Sequence, residues 1–172
     1  HDGNARCQNY LFDIFHALSQ QTNKDFNVWI SDHSESDKVL DACKEYADLF
    51  EINYIKNTKK YGNISANTNH ALQHADGDIL KILFSDDFIL TCNLVAELDK
   101  AFTDDVHWAV TGYAHTVDDG HTHYNPKIPY HNDRLLEGVN TLSSPSILAL
   151  KRGIDMYFDE NLTMLMDCDM YY

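Results

Sequence analysis

Asp86 and Asp87 stand side by side just after the apolar run Ile79-Leu80-Lys81-Ile82-Leu83-Phe84, with Ser85 between. Adjacent carboxylates repel, and a bound cation or a positive ligand group offsets that cost best. The chemistry they suggest is a hard-metal site holding a phosphate-bearing substrate. In the plainer reading Asp86 caps a following helix, and this stretch alone supports both readings. Five histidines, His107, His115, His121, His123 and His131, form a second concentration of chemistry. On a strand, His121 and His123 would project to one side, a geometry that binds transition metals. Only Asp118 and Asp119 offer nearby acidic partners, so contact with a polar acceptor accounts for these histidines equally well. Lys56, Lys59 and Lys60 make one of the few basic clusters. No activated Ser or Cys nucleophile is evident.

The elements that must position these groups alternate between helix and strand. Asn4 to Gln21 carries Leu11, Ile14, Phe15 and Leu18 at helical spacing. Phe26 to Ile30 reads as a strand that ends in the polar tail Ser31-Asp32-His33-Ser34-Glu35-Ser36-Asp37. A helix then runs to about Phe50, Ile52 to Ile55 is a second strand, and Ile64 to Ala75 is a helix. Ile79 to Phe84, bounded by Gly77 and the acids, is expected as a buried strand. Ligands of open α/β sheets sit beyond the carboxyl ends of such strands, where Asp86 and Asp87 fall. An amphipathic helix through Leu94, Val95, Leu98 and Phe102 is expected next, then strand-like pieces at Val106–Tyr113 and His121–Tyr124. Gly112 to Asn132 reads as a long loop or hairpin over the sheet edge, Asn132 to Gly138 as a short helix and Ser146 to Leu150 as a strand. The pattern predicts an α/β fold with a mostly parallel central sheet flanked by helices and joined by right-handed crossovers. The first helix has no strand before it, so a strand upstream of His1 is expected at the centre of the sheet.

A length of 172 residues suits one domain. A net charge of −14 argues against nucleic-acid binding through a basic face. Cys7, Cys43, Cys92 and Cys168 are scattered without a Cys-x-x-Cys pair, which favours reduced thiols and a cytoplasmic or membrane-peripheral setting. No transmembrane run or signal-peptide pattern stands out.

Four ordered blocks together resemble the family-2 glycosyltransferases of the GT-A fold. They are Gln20-Gln21 with Asp25-Phe26-Asn27-Val28 and Ser31-Asp32-His33-Ser34; Asn69 with Ala75-Asp76-Gly77-Asp78; Ser85-Asp86-Asp87; and Phe158-Asp159-Glu160 followed by Asp167-Cys168-Asp169. The resemblance implies that Asp32 hydrogen-bonds a nucleobase, with Asn69, Asp86 and Lys59 also on the nucleotide side. It implies that Asp87, with Asp86, holds Mn²⁺ or Mg²⁺, and that Asp167, or else Asp169, is the general base. Two departures stand out. Phe84 replaces an acid that many relatives carry, and Thr68 replaces a basic residue before Asn69, a loss that Lys59 or Lys60 could make good.

The implied reaction moves a hexosyl group from a UDP- or GDP-sugar to a glycan, lipid or protein hydroxyl with inversion at C1. One rival is a sugar nucleotidyltransferase, although Gly3 and Arg6 make a poor phosphate loop. The other is a catalytically inactive glycan- or partner-binding domain.

Overall fold

In a computed structural model, residues 3–59, 62–117, 121–162 and 164–172 are described. The chain alternates helix and strand through its first half: α1 (Gly3–Ser19), β1 (Val28–Asp32), α2 (Lys38–Tyr46), β2 (Ile52–Lys56), α3 (Ile64–His74) and β3 (Ile79–Lys81). The second half holds α4 (Leu94–Ala101), the short strands β4 (Trp108–Val110), β5 (Tyr113–His115), β6 (Tyr124–Lys127) and β7 (Leu148–Lys151), and a closing helix α5 (Met166–Tyr171).

β1 and β2 pair in parallel, with Val28 opposite Ile52 and Asp32 opposite Lys56. That is the arrangement expected of a strand–helix–strand unit with α2 as its crossover. β3 instead runs antiparallel to β7, which also pairs antiparallel with β4 in the order β3-β7-β4. The α/β expectation holds, with β1 and β2 as the parallel pair and β3, β7 and β4 as an antiparallel trio beside it. The physical reason is that β7, with Leu148 and Ala149 fully buried, enters from the far end of the chain and supplies the partner that both β3 and β4 need. Among the described residues no ladder joins β1 to β3, although Leu83 packs into the same cluster as Val28 and Ile30.

Local signals account for two of the helix starts. Asn63 caps α3, accepting from the Ala66 N–H at 2.7 Å. Asn132 likewise accepts from the Arg134 N–H at the start of a 3-10 helix, Asp133–Glu137, which Gly138 ends at φ 75°. Three expectations are corrected here. The strand beginning at Ile79 stops at Lys81, because beyond Ile82 the ladder gives way to a bond from the Phe84 N–H to the Ser146 hydroxyl at 2.8 Å. No helix follows Asp87 directly; Ser85 and Asp86 form a turn and α4 waits until Leu94. His121 lies in a bend, and β6 starts only at Tyr124, so His121 and His123 do not share a strand face. The expected hairpin is real: β5 and β6 pair antiparallel, with His115 against Tyr124 at 5.7 Å between ring centroids.

Two apolar clusters carry the fold. One gathers Leu11, Ile14 and Phe15 of α1 with Ala42 and Cys43 of α2 beneath β1 and β2. The other joins Ile82, Leu135, Leu142, Ile147, Leu148, Leu150 and Phe158 to Cys168, Met170 and Tyr171 of α5. Each large side chain so buried contributes about 1.5–3 kcal/mol. The second cluster fixes α5 and the residues 140–147 relative to β3, and so sets where the acids of those segments stand.

Candidate active site

Asp32 ends β1 and is buried, at 5% exposure. Its Oδ1 accepts the Ser34 N–H at 2.8 Å, and its Oδ2 accepts from the Tyr54 hydroxyl at 2.7 Å and the Lys56 ammonium at 3.0 Å. Burial would raise the pKa of this carboxyl, but the bonds from Ser34, Tyr54 and Lys56 outweigh it and hold the group below its ordinary 3.8. Tyr54 is pushed up by burial and by the Asp32 carboxylate. Neither Tyr54 nor Lys56 stands out in the sequence as a partner of Asp32. The signal is strand pairing: in parallel register Lys56 lies opposite Asp32, and Tyr54 shares its face two residues earlier.

Asn69 is buried and fastens α3 to the irregular segment around Phe158. Its Nδ2 donates to the Phe158 carbonyl at 2.9 Å and the Glu160 carboxylate at 3.2 Å, and its Oδ1 accepts from the Phe158 N–H at 2.9 Å. Both amide protons are thus spent inside the protein, so Asn69 is not carried forward as a nucleotide contact. Lys59 is exposed, while Lys60, Asp118 and Asp119 lie outside the described residues.

Asp86 is exposed in its turn and Asp87 half-buried, with Oδ2 accepting from the Ser144 hydroxyl at 3.0 Å. Below them the Lys81 ammonium donates to the backbone carbonyls of Ile82, at 2.9 Å, and Ser146. Burial drives the Lys81 pKa down to about 8, against the pull of the nearby Asp87 charge. The two adjacent carboxylates offer oxygen only, the donor chemistry that Mg²⁺ or Mn²⁺ takes. Among the described residues no three His, Cys, Asp or Glu side chains are arranged around a metal position. The donor set fits an ion whose remaining ligands come from substrate phosphates and water, as Mg²⁺ sites usually have.

Asp167 opens α5, half-buried; Asn140 donates to its Oδ2 and the Cys168 N–H to its Oδ1 at 2.9 Å. Asp169, two residues on, is exposed. One helical turn after Asp167, the Tyr171 hydroxyl donates to the carbonyls of Ser143 at 3.3 Å and Ser144 at 3.1 Å. The structure therefore brings Asp87 and Asp167 to the same loop, residues 140–146, with Asp86 exposed in the turn beside Asp87, and leaves Asp32 on the other strand pair. A cleft of about 390 Å³ at the opposite end of β3, lined by Leu72, Arg152 and Tyr157 among others, holds none of these acids.

The glycosyl transferase family 2 model matches residues 4–169, nearly the whole chain. The chain belongs to this family. Among solved structures, TarS of S. aureus, in a crystal structure of its residues 1–349, matches with a TM-score of 0.67 at 19% identity, covering 96% of this chain and 51% of that one. A longer TarS structure matches with a TM-score of 0.69 at the same 19% identity, covering 96% of this chain and 31% of its own length. TarS 1–349 in complex with UDP matches with a TM-score of 0.68 at 19% identity, over 94% of this chain and 50% of that one. The family-2 chain thus spans from about a third to about half of the solved structures it resembles, and at this identity the likeness shows the fold, which is GT-A. No curated protein matches it significantly in sequence. Among the described residues no helix is long and apolar enough to cross a membrane.

Proposed function

We propose that this family-2 domain transfers a hexosyl group from a nucleoside-diphosphate sugar to an acceptor hydroxyl, with inversion at the anomeric carbon. The observation that carries this reading is the acid pair Asp86-Asp87, set in a turn just past β3 of a GT-A frame, with Asp167 tied to the same loop. The likeness to a UDP-bound structure makes UDP the nucleotide of first choice.

In this reading residues 1–90 contribute most of the donor side and residues 91–172 the acceptor side. Asp167 takes the proton of the acceptor hydroxyl as that oxygen bonds to C1 of the sugar. The bond from C1 to the diphosphate breaks on the opposite face, and its electron pair leaves with the phosphate oxygen. Asp87 and Asp86 would hold Mn²⁺ or Mg²⁺, which when bound supplies Lewis-acid stabilisation to the departing diphosphate. Lys59, just beyond β2, is the candidate phosphate contact, and Asp32 the candidate nucleobase contact. Free Cys43 and Cys168, both buried, suit a reducing, cytoplasmic setting.

The test is a panel of UDP- and GDP-sugars, with and without Mn²⁺ or Mg²⁺, followed by thermal shift and by product NMR. A ligand that binds only the folded state raises the melting temperature. Stabilisation by a nucleotide sugar together with a product of inverted anomeric configuration supports the proposal. Stabilisation without transfer to any glycan, lipid or protein hydroxyl makes the domain a binder, and retained configuration overturns the single-displacement mechanism.

A further inference from the structure

The loop that runs from Asn140 to Ser146 touches both acids the reaction needs. Asn140 is its keystone. The Asn140 Oδ1 accepts the N–H groups of Leu142 at 3.0 Å and Ser143 at 2.9 Å, and its Nδ2 donates to the Ser143 carbonyl at 2.9 Å. The same Nδ2 donates to Asp167. With both amide protons and the carbonyl oxygen engaged, the Asn140 side chain has one orientation available to it.

The loop is held tightly on its other side. Leu142, Pro145 and Ile147 are buried, and Leu142 and Ile147, at most 4% exposed, anchor the loop to the second core cluster. Ser143 sits at φ 143°, a conformation that favours glycine and costs a serine about 1–3 kcal/mol. The surrounding bonds therefore enforce the loop's shape. From this fixed loop the Ser144 hydroxyl reaches Asp87, and the Ser146 hydroxyl takes the Phe84 N–H just before the acid turn. Asp167 and Tyr171, four residues apart on one face of α5, grip the loop at Asn140 and at the Ser143 and Ser144 carbonyls.

From this geometry we infer that Asn140 and Ser144 are positioning residues, one loop setting the acceptor-side base Asp167 and the donor-side acid Asp87 in a single frame. The inference rests on the reading of these two acids given above. Its chemical content is that displacement needs the base and the leaving group on opposite faces of one sugar. Asn140 and Ser144 are four positions apart, a span of at most about 14 Å even when extended. A shift of about 1 Å in such a constellation costs about 10²-fold in rate.

The experiment is a double-mutant cycle in the full chain, backed by a readout that needs no activity. Asn140→Ala should lower kcat about 10- to 100-fold with donor KM within about twofold. Added to Asp167→Asn, it should cost less than about twofold, because Asn140 acts only through Asp167. Ser144→Ala should raise donor KM, and Ser144→Thr, which keeps the hydroxyl, should restore it. Independently, the side-chain amide resonances of Asn140 should move in Asp167→Ala while resonances of the β1–β2 half stay in place. Equal losses from Asn140→Ala in the wild-type and Asp167→Asn backgrounds would overturn the positioning role. An unmoved Asn140 amide in Asp167→Ala would overturn it too, whether or not the protein turns over sugar. A wild-type chain that transfers nothing, yet shows the amide shift, fails the function while the Asn140–Asp167 tie stands.

Discussion

The acid of the β1–β2 half and the acids around β3 and α5 are compensated in opposite ways. Asp32 is buried and bonded to an ammonium and a phenol of its own sheet, so its charge is neutralised within the protein. Among the described residues the hydrogen-bond donors to Asp87 and Asp167 are neutral: the Ser144 hydroxyl, the Asn140 amide and the Cys168 N–H. Even Lys81, whose charge Asp87 feels, spends its protons on the carbonyls of Ile82 and Ser146. Neutral donors orient a carboxylate without cancelling its charge. The first half thus uses an acid to hold itself together, and the second keeps oriented negative charge for something else to meet. A divalent ion or a reacting proton suits that second role, and neither is needed for the first.

The contrast breaks most clearly at Asp87. Asp87→Ala should reduce transfer below about 10⁻³ of the wild-type rate, because stabilising the departing diphosphate is worth several kcal/mol. It should also abolish the Mn²⁺ dependence of nucleotide binding, while the melting temperature without ligand changes little. Unchanged UDP-sugar affinity in this variant would leave the acid turn without a ligand role. Asp167→Asn comes next, with kcat lowered about 10²–10⁴-fold and donor affinity intact; Asp169→Asn, on the exposed side of α5, should cost far less. If the two outcomes swap, the base is Asp169.

Asp32 should behave the other way round, with stability as the main loss. Asp32→Ala removes one partner of a buried pair, and a urea titration should show destabilisation of about 3 kcal/mol. The pH dependence follows from the same bonds. Because the folded carboxyl titrates below 3.8, its stabilisation is complete above that value and is lost as pH falls through the lowered folded pKa. The acid limb of a melting-temperature profile should therefore flatten in Asp32→Ala, and an unaltered limb would show that Lys56 and Tyr54 contribute nothing there.

The smallest effect expected lies on the alkaline side. Lys81 titrates near 8 when folded and near its ordinary 10.5 when unfolded, so the unfolded chain binds the extra proton and stability rises with pH from about 8. Cys43, raised to about 11 by burial, acts oppositely above pH 9, and so do Tyr54 and Tyr171 above about pH 10. A shallow stability maximum near pH 9 should result. Lys81→Met should remove the rise, and a profile identical to wild type would place the Lys81 ammonium in solvent.

The sequence alone determined the alternation of elements up to the acid turn, since apolar spacing of 3.6 or 2 residues and caps such as Asn63 are local signals. It also marked Asp86, Asp87 and Asp167, because acids at block ends are visible without contacts. It overestimated the strand at Ile79, whose apolar pattern continues to Phe84 although beyond Ile82 the backbone turns to the Ser146 side chain. Only the tertiary structure decided that β3 would run against β7, that Lys56 and Tyr54 would close over Asp32, and that Asn69 would tie α3 to Phe158. The same holds for Asn140 and Ser144. A hydrogen bond between residues 57 positions apart, as from Ser144 to Asp87, leaves no periodicity in the chain. It exists because β7 and α5 bury their apolar faces in one core, and that burial is what carries the loop to the acids.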